Sequence, residues 1–247
     1  MRAALAQPPN TRVQRTRSSP SAPHSPLTRN PLGAPRQPKG MIAGVLIAAF
    51  VVSAPARLVG QEWVMAAKTG ERRAAEYRFT SSGQEYVVKA NGSLAVSAGN
   101  GFKLPVSNGD FIETLYALGT GDQVAIAYQA QNDETVVSRL VSLSLPGLDR
   151  RWEAQVGGLN LGLPAVASGY AYVTAAGFVG KIDLASGRWA WRQDDLTKKY
   201  NRFESFGQPV VGRGFVTVSE DQPEAFEHKA GASLVLDDNT GEILESK

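Results

Sequence analysis

The 247-residue chain has no cysteine and only two histidines, His24 and His228. Without a thiol there is no disulfide framework, no thiolate metal site, no cysteine nucleophile and no lipid-modified cysteine. The two histidines are far apart, so no His pair stands at metal-binding spacing. A Gly-x-Ser-x-Gly elbow and a Walker-type phosphate loop are also missing. Gly119-Thr120-Gly121 lacks the third glycine and the following helix of a dinucleotide fingerprint, so it reads as a turn between strands. No helical period is sustained between Trp63 and Lys247. Carboxylate pairs of the glycosidase kind are defined by distance in space, and the sequence leaves them open.

Acidic residues are absent from the first forty positions, which hold eight of the fourteen prolines and seven basic residues: Arg2, Arg12, Arg15, Arg17, Arg29, Arg36 and Lys39. Such a segment has too little apolar surface to offset its chain entropy, and residues 1–40 are expected to be a disordered or mis-annotated leader. Met41 to Ala56 is apolar, follows Arg36 and Lys39, and ends in the small residues Ala54-Pro55-Ala56. That is the plan of a secretory signal peptide over 41–56, its apolar run of about a dozen residues being shorter than a spanning helix. The expected compartment is therefore periplasmic or secreted, with no membrane span after cleavage near Ala56. Removing the seven leader charges leaves 26 − 7 = 19 basic against 23 acidic side chains, a net −4 for 57–247. A mildly acidic domain has no electrostatic footprint for nucleic acid. Roughly 190 residues are enough to bury a core without covalent staples.

What the chain does have is a recurring turn of a small polar residue, glycine and a charged residue. Thr69-Gly70-Glu71, Asn108-Gly109-Asp110, Ser186-Gly187-Arg188 and Thr240-Gly241-Glu242 follow one another at spacings of 39, 78 and 54, and Pro146-Gly147-Leu148-Asp149 falls in the gap. Asp183 and Asp237 each stand four residues before the turn glycine, and Trp152 keeps the place that Trp191 holds. Glycine accepts the positive φ of a tight turn, and an aspartate before it can accept hydrogen bonds from the turn amides, so the unit reads as a hairpin. Short strand pairs lie upstream of the good copies, Leu163–Ala167 then Tyr170–Thr174, and Gln208–Val211 then Gly214–Val218. Four short strands in about 40 residues is the length of a propeller blade. Two polar stretches, Asp194–Ser205 and Glu220–Lys229, read as loop insertions that give the ring its individuality.

Ile182-Asp183-Leu-Ala-Ser-Gly187-Arg-Trp-Ala-Trp191 resembles the PQQ-like β-propeller repeat, with its aspartate, Thr/Ser-Gly and tryptophan; Val235-Leu-Asp237-Asp-Asn-Thr240-Gly241 resembles it without the tryptophan. The resemblance spans about Leu140 to Lys247. It implies an all-β propeller, seven- or eight-bladed in many members, whereas 57–247 has room for a small β-propeller of four to five four-stranded blades, in a ring that is small, open or completed by a second chain. Members of that repeat family include quinoprotein alcohol dehydrogenases and a lipoprotein of the outer-membrane assembly machinery. This chain departs from both in its cysteines and its length.

Asp183, Gly187, Trp191, Asp237, Gly241 and Trp152 are thus expected to be structural signature residues. Trp152, Trp189 and Trp191 could stack on a flat ligand such as a quinone, but inter-blade packing is the expected role, with Trp189 on the same face as Trp191. Asp237-Asp238-Asn239-Thr240-Gly241-Glu242 misplaces the glycine of a calcium loop, so no metal ligand set is expected. His228, between Glu227 and Lys229, is expected to be exposed and inert. No catalytic residue is assigned, and cofactor-binding residues stay unassigned. The expected function is a non-catalytic bacterial cell-envelope propeller that binds a protein or small ligand through loops on one ring face. A PQQ-dependent oxidoreductase, or its degenerate remnant, is the alternative.

Overall fold

The computed structural model describes residues 63–68, 74–96 and 101–247. The expected leader and signal peptide, and Thr69-Gly70-Glu71, lie outside the described residues.

The described chain is a run of four antiparallel sheets, each formed largely from consecutive strands. After β1 (Val64–Lys68), blade 1 comprises β2 (Glu76–Ser81), β3 (Gln84–Lys89), β4 (Ser93–Val96) and β5 (Phe102–Lys103). Blade 2 follows with β6 (Phe111–Gly119), β7 (Gln123–Gln131), β8 (Val136–Ser144) and β9 (Arg150–Val156), and β1 pairs back onto β6 as a fifth strand. Blade 3 holds β10 (Ala165–Ala167), β11 (Tyr170–Ala175), β12 (Phe178–Asp183) and β13 (Trp189–Gln193). A short helix, α1 (Leu196–Tyr200), precedes blade 4, with β14 (Val210–Val211), β15 (Phe215–Ser219), β16 (Ser233–Asp237) and β17 (Ile243–Ser246). A single 3-10 turn, Pro223–Phe226, interrupts blade 4 between β15 and β16.

Burial along the strands shows how the sheets stack. In β2 exposed and buried residues alternate strictly, with Tyr77, Phe79 and Ser81 turned inward. That is a sheet covered on one face only. By contrast β7 is buried from Gln123 to Ala130, and β12 from Phe178 to Ile182, because each lies between two neighbouring sheets. Three apolar cores fill the gaps. One joins Tyr77, Tyr86 and Leu94 of blade 1 to Leu115, Ile126 and Val141 of blade 2. The second joins Ala125 and Leu140 of blade 2 to Val173 and Ile182 of blade 3, and the third joins Tyr172 and Val179 of blade 3 to Val216, Leu234 and Leu236 of blade 4. Among the described residues no apolar core joins blade 4 to blade 1.

The third and fourth strands of blades 2, 3 and 4 share a register irregularity. Ser142 pairs with Trp152, Lys181 with Trp191 and Val235 with Glu245, and in each case the ladder slips by one residue at the next pair. A bulge of this kind opposes two residues to one and turns the side chains around it to different faces. Trp189 and Trp191 therefore do not share a face, contrary to the sequence expectation. Trp189 packs on Phe178 with ring centroids 5.4 Å apart, toward blade 2, while Trp191 belongs to the core shared with blade 4. Glu245 occupies the tryptophan's place in blade 4, and Phe215 on the same side of that blade is 42% exposed.

The repeat also needs one correction. Asn108-Gly109 is no hairpin between third and fourth strands; it lies in the connector from β5 to β6. The spacings of 39 and 78 that include it do not measure blades. The spacings that do are 39 between Trp152 and Trp191 and 54 between Gly187 and Gly241, the second enlarged by the two insertions.

Candidate functional site

Strand direction sorts the loops. The hairpins joining first to second and third to fourth strands lie at one end of the blades, and the remaining turns and inter-blade connectors at the other. Signature residues occupy the first end. Asp183 Oδ1 accepts hydrogen bonds from the amide and hydroxyl of Ser186, at 2.7 and 2.9 Å. Asp237 Oδ1 accepts from the amides of Asn239 and Thr240 and from the Thr240 hydroxyl. These amides and the hydroxyl hold the Asp237 carboxyl below the ordinary carboxylate range.

Trp152 and Trp191 each sit over the turn glycine of the next blade. The Trp152 indole N–H donates to Leu184 O at 3.0 Å, and that of Trp191 to Asp238 O at 2.7 Å. Gly187 and Gly241 have φ of +70° and +72°, and a Cβ on them would stand 2.5 and 2.6 Å from the indole rings of Trp152 and Trp191. Asp238 further accepts from Lys181 Nζ at 2.9 Å and from the Tyr172 hydroxyl at 2.6 Å. Gly187 and Gly241 thus lie against the indoles of Trp152 and Trp191, Phe178 packs edge-on with Trp189, and the Arg192 guanidinium lies 5.7 Å from the Trp189 ring. Both aspartates of the calcium-like stretch, Asp237 and Asp238, already accept from protein donors. The seam indoles and Asp237 and Asp238 are engaged by the protein itself rather than presented to a quinone and its cation.

The opposite end carries the two insertions, residues 194–209 and 220–232, and here the structure brings together groups that the sequence did not. Glu220 is the hub, its side chain 3% exposed. Oε1 accepts from the Phe203 amide at 3.0 Å, from Arg202 Nε at 3.3 Å and from His228 Nδ1 at 3.0 Å. Oε2 accepts from Arg202 Nη2 at 2.7 Å and the Ala232 amide at 2.9 Å. Burial by itself would raise the carboxyl, but Arg202 and the two amides outweigh it and hold Glu220 below the ordinary carboxylate range. A single carboxylate thereby ties both insertions together.

Around it the chain adopts unusual backbone. Asn160, Asp195, Asn201, Phe203, Gln222 and Glu227 all have positive φ without being glycine. Such residues are uncommon and persist where their surroundings hold them. Phe203, at φ 70°, stacks on Phe206 at 5.4 Å, and its carbonyl accepts from the Gly177 amide at 2.9 Å and the Thr197 hydroxyl at 3.2 Å. The Asn160 side chain donates to Glu204 O at 2.9 Å, binding the blade 2–3 connector to the same cluster. One donor atom each from Glu204, Glu220 and His228 lie within 4.8 Å of one another.

His228 is therefore not the free surface histidine expected from its polar neighbours, since its side chain is 17% exposed and in contact with Glu220. The only sequence signal for this cluster was that its residues fall in or beside the two polar insertions. Glu204, Glu220 and His228 have no metal-motif spacing, and Arg202 carries no signature at all.

No family model matches the chain, and no curated protein does. Among solved structures, the chain is similar to the quinohemoprotein alcohol dehydrogenase ADHIIG from Pseudomonas putida HK5, at 12% identity and a TM-score of 0.43, covering 76% of this chain and 36% of that one. It is also similar to the quinohemoprotein alcohol dehydrogenase of Comamonas testosteroni, at 16% identity and TM-score 0.37, over 76% and 23% of the two chains. BamB from Moraxella catarrhalis aligns at 15% identity and TM-score 0.32, over 74% of this chain and 62% of that one. The chain spans less than two thirds of the length of each of these structures. The class that the chain's own sheets define is a β-propeller: antiparallel blades of consecutive strands, packed one on the next.

Proposed function

We propose that this protein is a binding propeller of the bacterial cell envelope that engages a protein or small ligand through the loops at the insertion-bearing end of its blades. One observation carries the proposal: both insertions emerge at the same end and are fixed against each other by the buried Glu220 hub. At the opposite end the signature aspartates Asp183 and Asp237 are bonded within their own turns, and Leu184 O and Asp238 O accept from the seam tryptophans. Loops held on a rigid scaffold are where propellers carry recognition. The basic, apolar and small-residue order before residue 57 supports export, and among the described residues no helix is long and apolar enough to cross a membrane.

The test is positional. A photo-crosslinking side chain is placed at the exposed Glu224 or at the exposed Asn201 of the insertions, and in parallel at the exposed Arg213 of the hairpin end. Adducts of one defined mass at Glu224 and Asn201 in the cell envelope, and none at Arg213, are the expected outcome. Adducts at Arg213 alone would overturn the assignment of the binding end. Turnover of a substrate on adding PQQ and a divalent cation would replace binding with redox chemistry.

A further inference from the structure

The Glu220 hub leaves two groups in a state that a cation would complete. The first is His228. The Glu220 carboxylate already accepts from Arg202 and two backbone amides, and an ionised carboxylate can only accept. The contact between His228 Nδ1 and Glu220 Oε1 at 3.0 Å therefore places the hydrogen on Nδ1. In the neutral imidazole, Nε2 then carries the lone pair. A carboxylate that fixes the tautomer and aim of an imidazole is the support that metal-binding histidines have.

The second is Glu204. Its Oε2 is buried and has no hydrogen-bond partner. A buried carboxylate oxygen without a donor is costly and calls for a cation, a proton donor or water. Arg202, the guanidinium of the hub, is committed to Glu220 and to Ala230 O. One carboxylate oxygen of Glu204, one of Glu220 and one ring nitrogen of His228 lie within 4.8 Å of one another, so the Glu204 carboxylate belongs to the same cluster as the imidazole.

Charge agrees with this. Two carboxylates and one guanidinium, with a neutral imidazole, leave the cluster one negative charge. A mixed imidazole and carboxylate donor set suits borderline divalent ions such as Zn²⁺ better than Mg²⁺ or Ca²⁺, which prefer oxygen alone.

We propose that Glu204 and His228 are ligands of a borderline divalent cation of the Zn²⁺ class, with Glu220 as the positioning residue that orients the imidazole. The ion joins the connector before β14 to the insertion after β15, so the order of the loops at that end depends on the metal. The site stands independently of the binding role above. A protein with no partner would still bind the ion, and a partner could still engage loops that lack it.

The experiment uses the full chain and ZnCl₂, with MgCl₂ and CaCl₂ as comparators, read by titration calorimetry and by thermal unfolding. One Zn²⁺ per chain and a rise in Tm are expected, with smaller effects from the other two ions. Glu204→Gln and His228→Gln are each expected to weaken Zn²⁺ binding at least about tenfold. His24→Gln is expected to change nothing. Glu204→Gln preserves volume, and an unchanged Tm without metal shows that it folds. Imidazole ¹⁵N shifts give a readout that stability alone does not: Nε2 should move on adding Zn²⁺ while Nδ1 stays protonated. Equal Zn²⁺ binding by wild type and Glu204→Gln would overturn the proposal. So would a His228 ring protonated at both nitrogens at neutral pH and indifferent to Zn²⁺, since the imidazolium would then be the partner of Glu204.

Discussion

The seam between blades 2 and 3 and the seam between blades 3 and 4 are built on one backbone plan and filled with different chemistry. In both, a tryptophan lies across a turn glycine of the next blade and donates its indole N–H to the residue after the signature aspartate, Leu184 in one and Asp238 in the other. Around Leu184 the first seam is neutral, and Gln123 Nε2 reaches both Ser142 Oγ at 2.6 Å and Leu184 O at 3.3 Å. Around Asp238 the second seam is charged: Lys181, at Ser142's place in the ladder, meets the carboxylate with its side chain 9% exposed and lies 4.5 Å from the Tyr170 ring. The repeat fixes the backbone geometry of a seam, and the one residue that follows the aspartate decides what its partner blade must carry.

The largest effect should come from setting these two chemistries against each other. Asp238→Leu imitates the neutral seam but strands Lys181, and should cost about 3 kcal/mol in urea unfolding, as for a buried ion pair that loses one partner. Adding Lys181→Ser, the residue of the other seam, should recover most of that loss. Failure to recover would mean that the seams are not interchangeable.

Next come the glycines. Gly187→Ala and Gly241→Ala each force a side chain into the left-handed region and into an indole ring, and should each cost roughly 2–3 kcal/mol. Equal losses are expected, because this part of the design is common to both seams. A loss at one seam only would break the comparison.

Smaller still, Trp152→Phe and Trp191→Phe should each cost about 1 kcal/mol. The carbonyl that accepts the indole N–H keeps a second donor in both cases, Gln123 for Leu184 and Lys181 for Asp238. The double variants with Gln123→Ala or Lys181→Ala should be worse than additive.

The smallest effect concerns pH. Burial first, and then its hydrogen bond to Asp238, raise the Tyr172 hydroxyl above the ordinary value of 10.0. The folded state then holds a proton that the unfolded chain releases, so stability should fall as pH rises above about 10. Tyr172→Phe should make that alkaline decline shallower, by melting temperature against pH, whereas a change in the neutral seam such as Gln123→Ala should leave its slope unaltered.

The turn signature was legible because its requirements are local. Asp183 and Asp237 bond to amides two and three residues on, and a glycine's φ depends on its own turn. The same reasoning misled at Asn108-Gly109, where a turn of the same composition serves a connector. It also missed the opposite faces of Trp189 and Trp191, because a bulge is set by the pairing strand and leaves no mark on period-two counting. The Glu220 cluster was illegible for a related reason. Its members come from two insertions and meet across 16 and 8 residues of chain, with only backbone placement to bring them together.

By itself the sequence determined that this is an all-β protein of propeller blades, because short strands joined by turns such as Asp183–Gly187 and Asp237–Gly241 are specified by neighbours within one hairpin. Tertiary structure alone decided that three apolar cores join successive blades, that one seam is neutral and the other charged, and that Glu204, Glu220 and His228 lie together. Those features depend on contacts between segments distant in the chain, and no local pattern carries them.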